Sequence, residues 1–77
     1  MVERQRLRMR CRRGMRELDV LLERYLARQY DAAPPAEQQA FQRLLEREDP
    51  ELWAWVLGQS EPPPDLADVL SRLRRHA

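Results

Sequence analysis

The sequence predicts an all-α protein, a small bundle of five helices. Its 77 residues include only two glycines, and six prolines mark sharp breaks between segments. Apolar side chains recur at the three- and four-residue spacing of amphipathic helices, and β-branched residues are few. Such a chain forms one domain, here residues 1–77, and buries only about 60% of the surface its unfolded form exposes. A deep pocket is difficult to build beside so small a core, which favours a binding or assembly module over an enzyme.

The first two helices are predicted over residues 3–12 and 15–30. Arginine alternates with other residues in the first, and a period of two would suit a strand. Leu7 and Cys11 are i,i+4 neighbours on a helix, however, and β-branched residues are absent there, so we predict a helix. The second helix carries an apolar stripe, which comprises Met15, Leu18, Leu22, Tyr25, Leu26 and Gln29.

Prolines and glycine define the other three helices. Pro35 starts the third, which extends to about residue 47, because proline lacks only a donor that a first turn leaves unused. Asp49 is the predicted N-cap of the fourth helix, and Gly58 is placed to end it. Asp65 opens the fifth after a run of three prolines. The predicted apolar faces of the third and fifth helices comprise Ala40, Phe41, Leu44, Leu45, Leu66, Val69, Leu70 and Leu73.

Charge is distributed unevenly along the chain. Residues 1–16 hold seven arginines and one acid, whereas residues 17–77 hold seven arginines and twelve acids, and the net charge is +1. This asymmetry predicts an electrostatically directed partner at the N-terminal end. Nucleic acid is one candidate, but no aromatic residue interleaves with the arginines and no recognised DNA- or RNA-binding motif is present. We therefore expect a solvated helix or a protein partner, and a nucleic-acid-binding module is the alternative function.

Several other classes of site lack the necessary residues. Cys11 and His76 are the only cysteine and the only histidine, far apart in sequence, so we expect no metal site and no catalytic residue. The absence of a glycine-rich phosphate loop excludes a dinucleotide fold. One cysteine excludes a disulfide framework, and no apolar run approaches the roughly 20 residues of a membrane span. The N-terminus has no apolar region typical of a secretory signal. An arginine-rich start can resemble a mitochondrial transit peptide, but here the arginines run straight into residues 12–19, so we expect a bacterial cytoplasmic protein with its native start.

The most unusual segment of the chain is Arg-Arg-Gly-Met-Arg-Glu-Leu-Asp, residues 12–19. On a continuous helix Arg13 and Glu17 would share a face, and Gly14 would cost about 1 kcal/mol relative to alanine. The glycine therefore indicates that the chain turns there, or that a partner's surface comes close. A turn suffices if Gly14 is the N-cap of the second helix and Glu17 lies at N3, opposing the helix dipole.

Trp53 and Trp55 lie about 200° apart round a helix, so they cannot both point into one core. We expect one of them in the core and the other partly exposed, where it could anchor a contact. The alternative is that both lie in a shallow groove.

These residues resemble the SdhE family, the FAD assembly factors of succinate dehydrogenase. The hallmark motif of that family, Arg-Gly-x-x-Glu, is complete at Arg13, Gly14 and Glu17. The block Asp-Pro-Glu-Leu-Trp-Ala-Trp, residues 49–55, is a second part of the resemblance, which covers about residues 8–75.

The resemblance implies a five-helix bundle that is not itself an enzyme. Family members bind the flavoprotein subunit of succinate dehydrogenase, and often of fumarate reductase, and promote covalent attachment of FAD to it. By this resemblance we expect no stably bound cofactor, a monomer, and a client-binding surface made of Arg12, Arg13, Gly14, Arg16, Glu17 and Asp19. A flavin-transferring enzyme that binds free FAD is a third hypothesis, but no residue pattern provides a flavin pocket.

Overall fold

A computed structural model describes residues 4–75 of the chain, which contain five α-helices and no strand. The helices are α1 (Arg4–Arg10), α2 (Arg16–Tyr25), α3 (Pro35–Leu44), α4 (Asp49–Leu57) and α5 (Pro64–Arg75). A single π-helical turn, Leu26–Tyr30, continues α2. The predicted all-α fold of five helices is confirmed. His76, considered above for metal binding, lies outside the described residues.

One hydrophobic core joins all five helices, and α5 lies at its centre, in contact with α2, α3 and α4. The ring of Phe41 lies 4.6 Å from the ring of Tyr25 and 5.7 Å from that of Tyr30, measured between centroids. Residues Arg4–Arg10 are helical, which confirms that the alternating first segment is a helix, and Leu7 and Cys11 are both fully buried. The predicted apolar faces of α3 and α5 are buried as well.

Three hydrogen-bonded polar side chains link helices beside this core. The hydroxyl of Tyr25 donates a hydrogen bond to the carboxylate of Glu37, whose other oxygen lies 2.6 Å from Nε of Arg72. Burial, reinforced by the hydrogen bond to Glu37, raises the pKa of Tyr25 above its usual value. Three side chains therefore tie α2, α3 and α5 together through paired polar groups, so the tyrosine hydroxyl is not left unsatisfied beside the core.

The π-helical turn was not predicted, since the sequence indicated one regular helix over 15–30. Its wider turn closes i→i+5 rather than i→i+4 hydrogen bonds and rotates the residues that follow. Tyr30 is consequently buried against Phe41, five residues after Tyr25, whereas Gln29 of the predicted stripe is only half-buried.

Two predicted N-caps were wrong by one residue. Gly14 has a φ of +91°, and Met15, with the extended backbone of an N-cap, precedes the first residue of α2. Glu17 therefore lies at N2 rather than N3, still in the first turn. Glu48 is the N-cap of α4, and its backbone N–H donates to the Glu51 carboxylate at 3.4 Å. Asp49 is thus the first helical residue of α4, which leaves its carboxylate available for another contact.

The other ends of the helices are close to prediction. Pro35 starts α3 as expected, but the helix ends at Leu44 because the next residues form a tighter turn. In that turn the N–H of Arg47 donates to the carbonyl of Leu44, three residues back, at 3.0 Å. Gly58 ends α4 with a φ of +78°, as predicted, and α5 begins at Pro64, one residue before the predicted start.

The two tryptophans separate as the first of the two hypotheses predicted. Trp55 belongs to the buried core, whereas Trp53 is half-buried and packs against the edge of that core. None of the helices within residues 4–75 has both the length and the apolar composition needed to cross a bilayer.

Substitution of Leu22 by alanine should lower the free energy of unfolding by about 2–5 kcal/mol, because a fully buried leucine leaves a cavity. Chemical denaturation followed by circular dichroism measures the change. Val20→Ala is the matched control, since Val20 lies on the same helix and is 43% exposed, and we expect a change within about 0.5 kcal/mol. Equal effects of the two substitutions would contradict the assigned core face of α2.

Candidate functional site

The residues of the Arg-Gly-x-x-Glu motif lie at the turn between α1 and α2. Residues 11–15 are not helical, and Gly14 has a left-handed φ that side chains rarely adopt. Apart from residues 13–15 themselves, no atom lies within 4 Å of the position that a Cβ would occupy on Gly14. The glycine is therefore required by the backbone conformation and not by a neighbouring part of the chain. Its open side faces solvent, which leaves room for a partner to approach.

Asp19 holds this turn in place from the first turns of α2. Its carboxylate accepts a hydrogen bond from the backbone N–H of Arg13 at 2.8 Å and from that of Gly14 at 3.3 Å. Both acceptor oxygens are thus occupied by backbone donors, and a charged acceptor strengthens such bonds. Asp19 is only partly exposed, and its two hydrogen bonds hold the backbone of two consecutive motif residues, Arg13 and Gly14, in place.

The side chain of Arg13 points into the fold. Its guanidinium pairs with the carboxylate of Asp49, 36 residues away, and only 14% of the side chain is exposed. It also donates to the carbonyl of Leu45 at 2.8 Å and to the carbonyl of Arg47. Carbonyls beyond the end of a helix lack intrahelical donors, and positive charge is favourable there. Arg13 therefore fastens the motif turn to the connection between α3 and α4.

Glu17 and Arg16 differ from Arg13, because both are exposed and neither has a hydrogen-bond or ion-pair partner within residues 4–75. Val20, one turn further along α2, is 43% exposed. The free guanidinium of Arg16, the free carboxylate of Glu17 and the apolar side chain of Val20 lie at positions i, i+1 and i+4 of one helix, which begins two residues after Gly14. This surface can offer hydrogen bonds and an apolar contact to another protein.

The remaining arginines of the N-terminal segment are partly paired. Arg4 bonds to Asp31 and to the carbonyl of Leu26, which attaches the start of α1 to the π-helical turn. Arg12 lies 3.4 Å from Glu23 and keeps 70% of its side chain exposed. Those exposed without an ion-pair partner in the described part of the chain are Arg6, Arg8, Arg10 and Arg16.

All six residues predicted to form a client-binding surface therefore lie in or beside one turn, but their surroundings differ. Arg13 and Asp19 have their polar groups engaged inside the fold, Arg12 is in an exposed pair, and the other three are open to solvent. Sequence reasoning missed Asp49 as the partner of Arg13. The Asp-Pro block was recognised as part of the family resemblance, but Asp49 was interpreted only as a helix cap.

Cys11 immediately precedes the motif and has no exposed surface. Burial raises the pKa of its thiol to about 12, with Glu23 and Asp19 adding to the shift and Arg13 opposing it. Only a thiolate is a strong nucleophile, so this protonated thiol is unsuited to covalent catalysis at neutral pH. Within residues 4–75 there is also no group of three or more side chains placed to hold a metal ion.

Comparison with known proteins gives one consistent result. A family model described as "Flavinator of succinate dehydrogenase" matches residues 5–77. A protein named FAD assembly factor SdhE from Legionella pneumophila (strain Paris) is 42% identical over 94% of this chain and 91% of its own length. Proteins of the same name from Shewanella oneidensis and Methylococcus capsulatus are each 44% identical, over 94% and 96% of this chain and 89% and 90% of their own lengths. No solved structure matches the chain.

Arg13→Gln should lower the free energy of unfolding by about 2–4 kcal/mol, because it removes a mostly buried charge and leaves Asp49 without its partner. Urea denaturation of this variant, of Asp49→Asn and of the double variant measures the coupling, which should exceed about 0.5 kcal/mol. Arg43→Gln is the matched control, since its ion pair with Asp65 is exposed and should contribute at most about 1 kcal/mol. Additive effects of Arg13→Gln and Asp49→Asn would contradict the tie between the motif and the α3–α4 connection.

Proposed function

The chain belongs to the Flavinator of succinate dehydrogenase family, and we propose on that basis that it is an FAD assembly factor. It binds the flavoprotein subunit of succinate dehydrogenase before that subunit joins its complex, and it promotes the covalent attachment of FAD. The structural observation that supports this role is the arrangement at the Arg-Gly-x-x-Glu turn. An exposed glycine and, three residues later, an exposed glutamate with no partner within residues 4–75 lie there, on a backbone that Asp19 and Arg13 hold in place.

The role is that of a helper and not of a catalyst. Attachment of FAD requires a histidine of the client to be held against the isoalloxazine ring while charge develops on the flavin. A bound protein can favour this step by holding the client's domains in a near-attack arrangement, without donating a catalytic group. The protonated, buried thiol of Cys11 fits this view, since it has neither the access nor the charge of a nucleophile.

The motif residues have different roles in this proposal, depending on whether they are exposed or bonded within the fold. Gly14 permits the client's backbone to come close, and Glu17 makes charge-assisted hydrogen bonds to it, with Arg16 beside it. Arg13 and Asp19 contribute to client binding by positioning, because their polar groups already bond to the α3–α4 connection and to the turn itself. The turn is thereby preorganised, and preorganisation lowers the entropic cost of binding.

The finer features of this role follow the same family assignment. We propose that the flavoprotein subunit of fumarate reductase is a second client of the same surface, and that the chain acts as a cytoplasmic monomer in bacteria without holding FAD stably itself. The comparisons give no support to the nucleic-acid-binding alternative. Titration of free FAD into the purified protein separates this proposal from a flavin-transferring enzyme, which would quench flavin fluorescence at micromolar concentrations.

Glu17→Ala should reduce covalent flavinylation of the client with little change in helix content, because Glu17 is exposed and has no partner in the described chain. The assay is flavin fluorescence at the size of the flavoprotein subunit, on denaturing gels of membranes from a strain lacking this chain and complemented with each variant. Glu61→Ala is the matched control, because Glu61 is an exposed acid outside the motif, in the loop before α5. A flavin band of wild-type intensity with Glu17→Ala would remove Glu17 from the site.

Gly14→Arg and Gly14→Ala form a second pair of variants. Both place a side chain on a residue with φ +91°, so both should lose about 1 kcal/mol of stability from the backbone alone. Only arginine fills the open side, so Gly14→Arg should abolish client binding while Gly14→Ala weakens it far less. Pull-down of the client, with circular dichroism of both variants, measures the difference. Equal loss of binding would mean that the backbone of the turn, and not the space beside it, is what the client requires.

A further inference from the structure

The structure points to a second client contact on α1, which we propose receives an acidic segment of the flavoprotein client that carries one apolar side chain. This inference rests on the proposed function, and it concerns a surface outside the Arg-Gly-x-x-Glu motif. The surface is a groove of about 590 Å³, and it is lined by Arg4, Gln5, Arg8, Met9 and Arg12. We refer to these five residues as the α1 groove.

Met9 is the first observation in favour of the groove. Its side chain is 69% exposed, more than any other large apolar side chain in the described part of the chain. Leu7 on α1 and Cys11, directly after its end, lie two residues to either side of Met9 and are fully buried, so this segment has one face in the core and presents Met9 on the other. Methionine adapts to irregular apolar surfaces and is common where one protein binds another.

The charge around Met9 is the second observation. Arg8 is exposed and has no ion-pair partner within residues 4–75, and Arg12 has a single, mostly exposed contact with Glu23. Arg4 is held by Asp31 and by the carbonyl of Leu26, so one wall of the groove is fixed while two guanidinium groups remain available. Guanidinium groups bind carboxylates in bidentate geometry, which makes an acidic segment the complementary occupant.

Continuity with the motif indicates that the occupant belongs to the same client. Arg12 lines the groove and directly precedes Arg13, so one protein lying along the turn at Gly14 extends onto α1 without a gap in the chain. The rest of this chain has more acids than arginines, so the basic groove is a local feature. Nucleic acid would use the arginines through its phosphates, but it would gain little from an exposed methionine in place of an aromatic platform.

The test compares Arg8→Gln and Met9→Gln with the wild-type chain in binding to the purified flavoprotein subunit, by biolayer interferometry. Each should raise the Kd about tenfold, the effect typical of one well-placed interface side chain. Arg8→Gln should also flatten the dependence of Kd on salt, whereas Met9→Gln should leave the slope unchanged. Arg28→Gln is the matched control, because Arg28 is an exposed arginine of the π-helical turn and lies outside the groove. The Kd of this variant for the flavoprotein subunit should stay within about twofold of the wild-type value.

The outcomes separate this inference from the proposed function. If both groove variants bind the client like the wild type while Glu17→Ala still reduces flavinylation, the groove is not a client contact and the assembly role stands. If the wild-type chain neither binds the subunit nor restores its flavin, the assembly role fails and the groove assignment fails with it. If Arg8→Gln instead weakens binding of a single-stranded oligonucleotide or Met9→Gln changes self-association by sedimentation, with client affinity unaltered, the occupant is not the client.

Discussion

The guanidinium of Arg13 connects two parts of the chain that are far apart in sequence, and the geometry of the motif depends on it. It bonds to Asp49 at the start of α4 and to carbonyls of the preceding connection, while Asp19 secures the adjoining backbone from the other side. Cys11 and Met15 attach the two ends of the non-helical segment 11–15 to the core, and these contacts fix the residues between them. The arginine of the motif is therefore a structural element of the proposed binding surface, and the glutamate is its exposed group.

This difference between a mostly buried arginine and an exposed glutamate explains how a short motif can form a rigid surface on a small protein. A domain of 77 residues has a limited core, here centred on α5 and the Tyr25–Phe41–Tyr30 cluster, and it cannot enclose a reaction. It can, however, present a few rigid groups on its surface, because a rigid turn loses little conformational entropy on binding. Assistance to a larger flavoprotein by contact alone is a function that a bundle of this size can perform.

The sequence was sufficient for the features that depend on local chemistry. Prolines and apolar spacing located all five helices, and the Leu7–Cys11 pair distinguished a helix from a strand in the alternating first segment. Features that depend on tertiary packing were missed. A π-helical turn has no distinctive composition, and nothing near Arg13 indicates that its partner is 36 residues away. The N-cap was misplaced for a local reason: with a φ of +91°, Gly14 lacks the extended backbone of an N-cap, which Met15 has instead.

Because Cys11 is buried, its reactivity can report local opening of the bundle. It is the only thiol in the chain, it lies where α1 meets the motif turn, and it has no exposed surface. A thiol reagent can reach it only when this end of the bundle opens, so the rate of labelling follows the local opening equilibrium and not intrinsic reactivity. Any change in this opening when a partner protein binds can thus be followed as a change in the labelling rate of one sulfur atom, with no probe added to the chain.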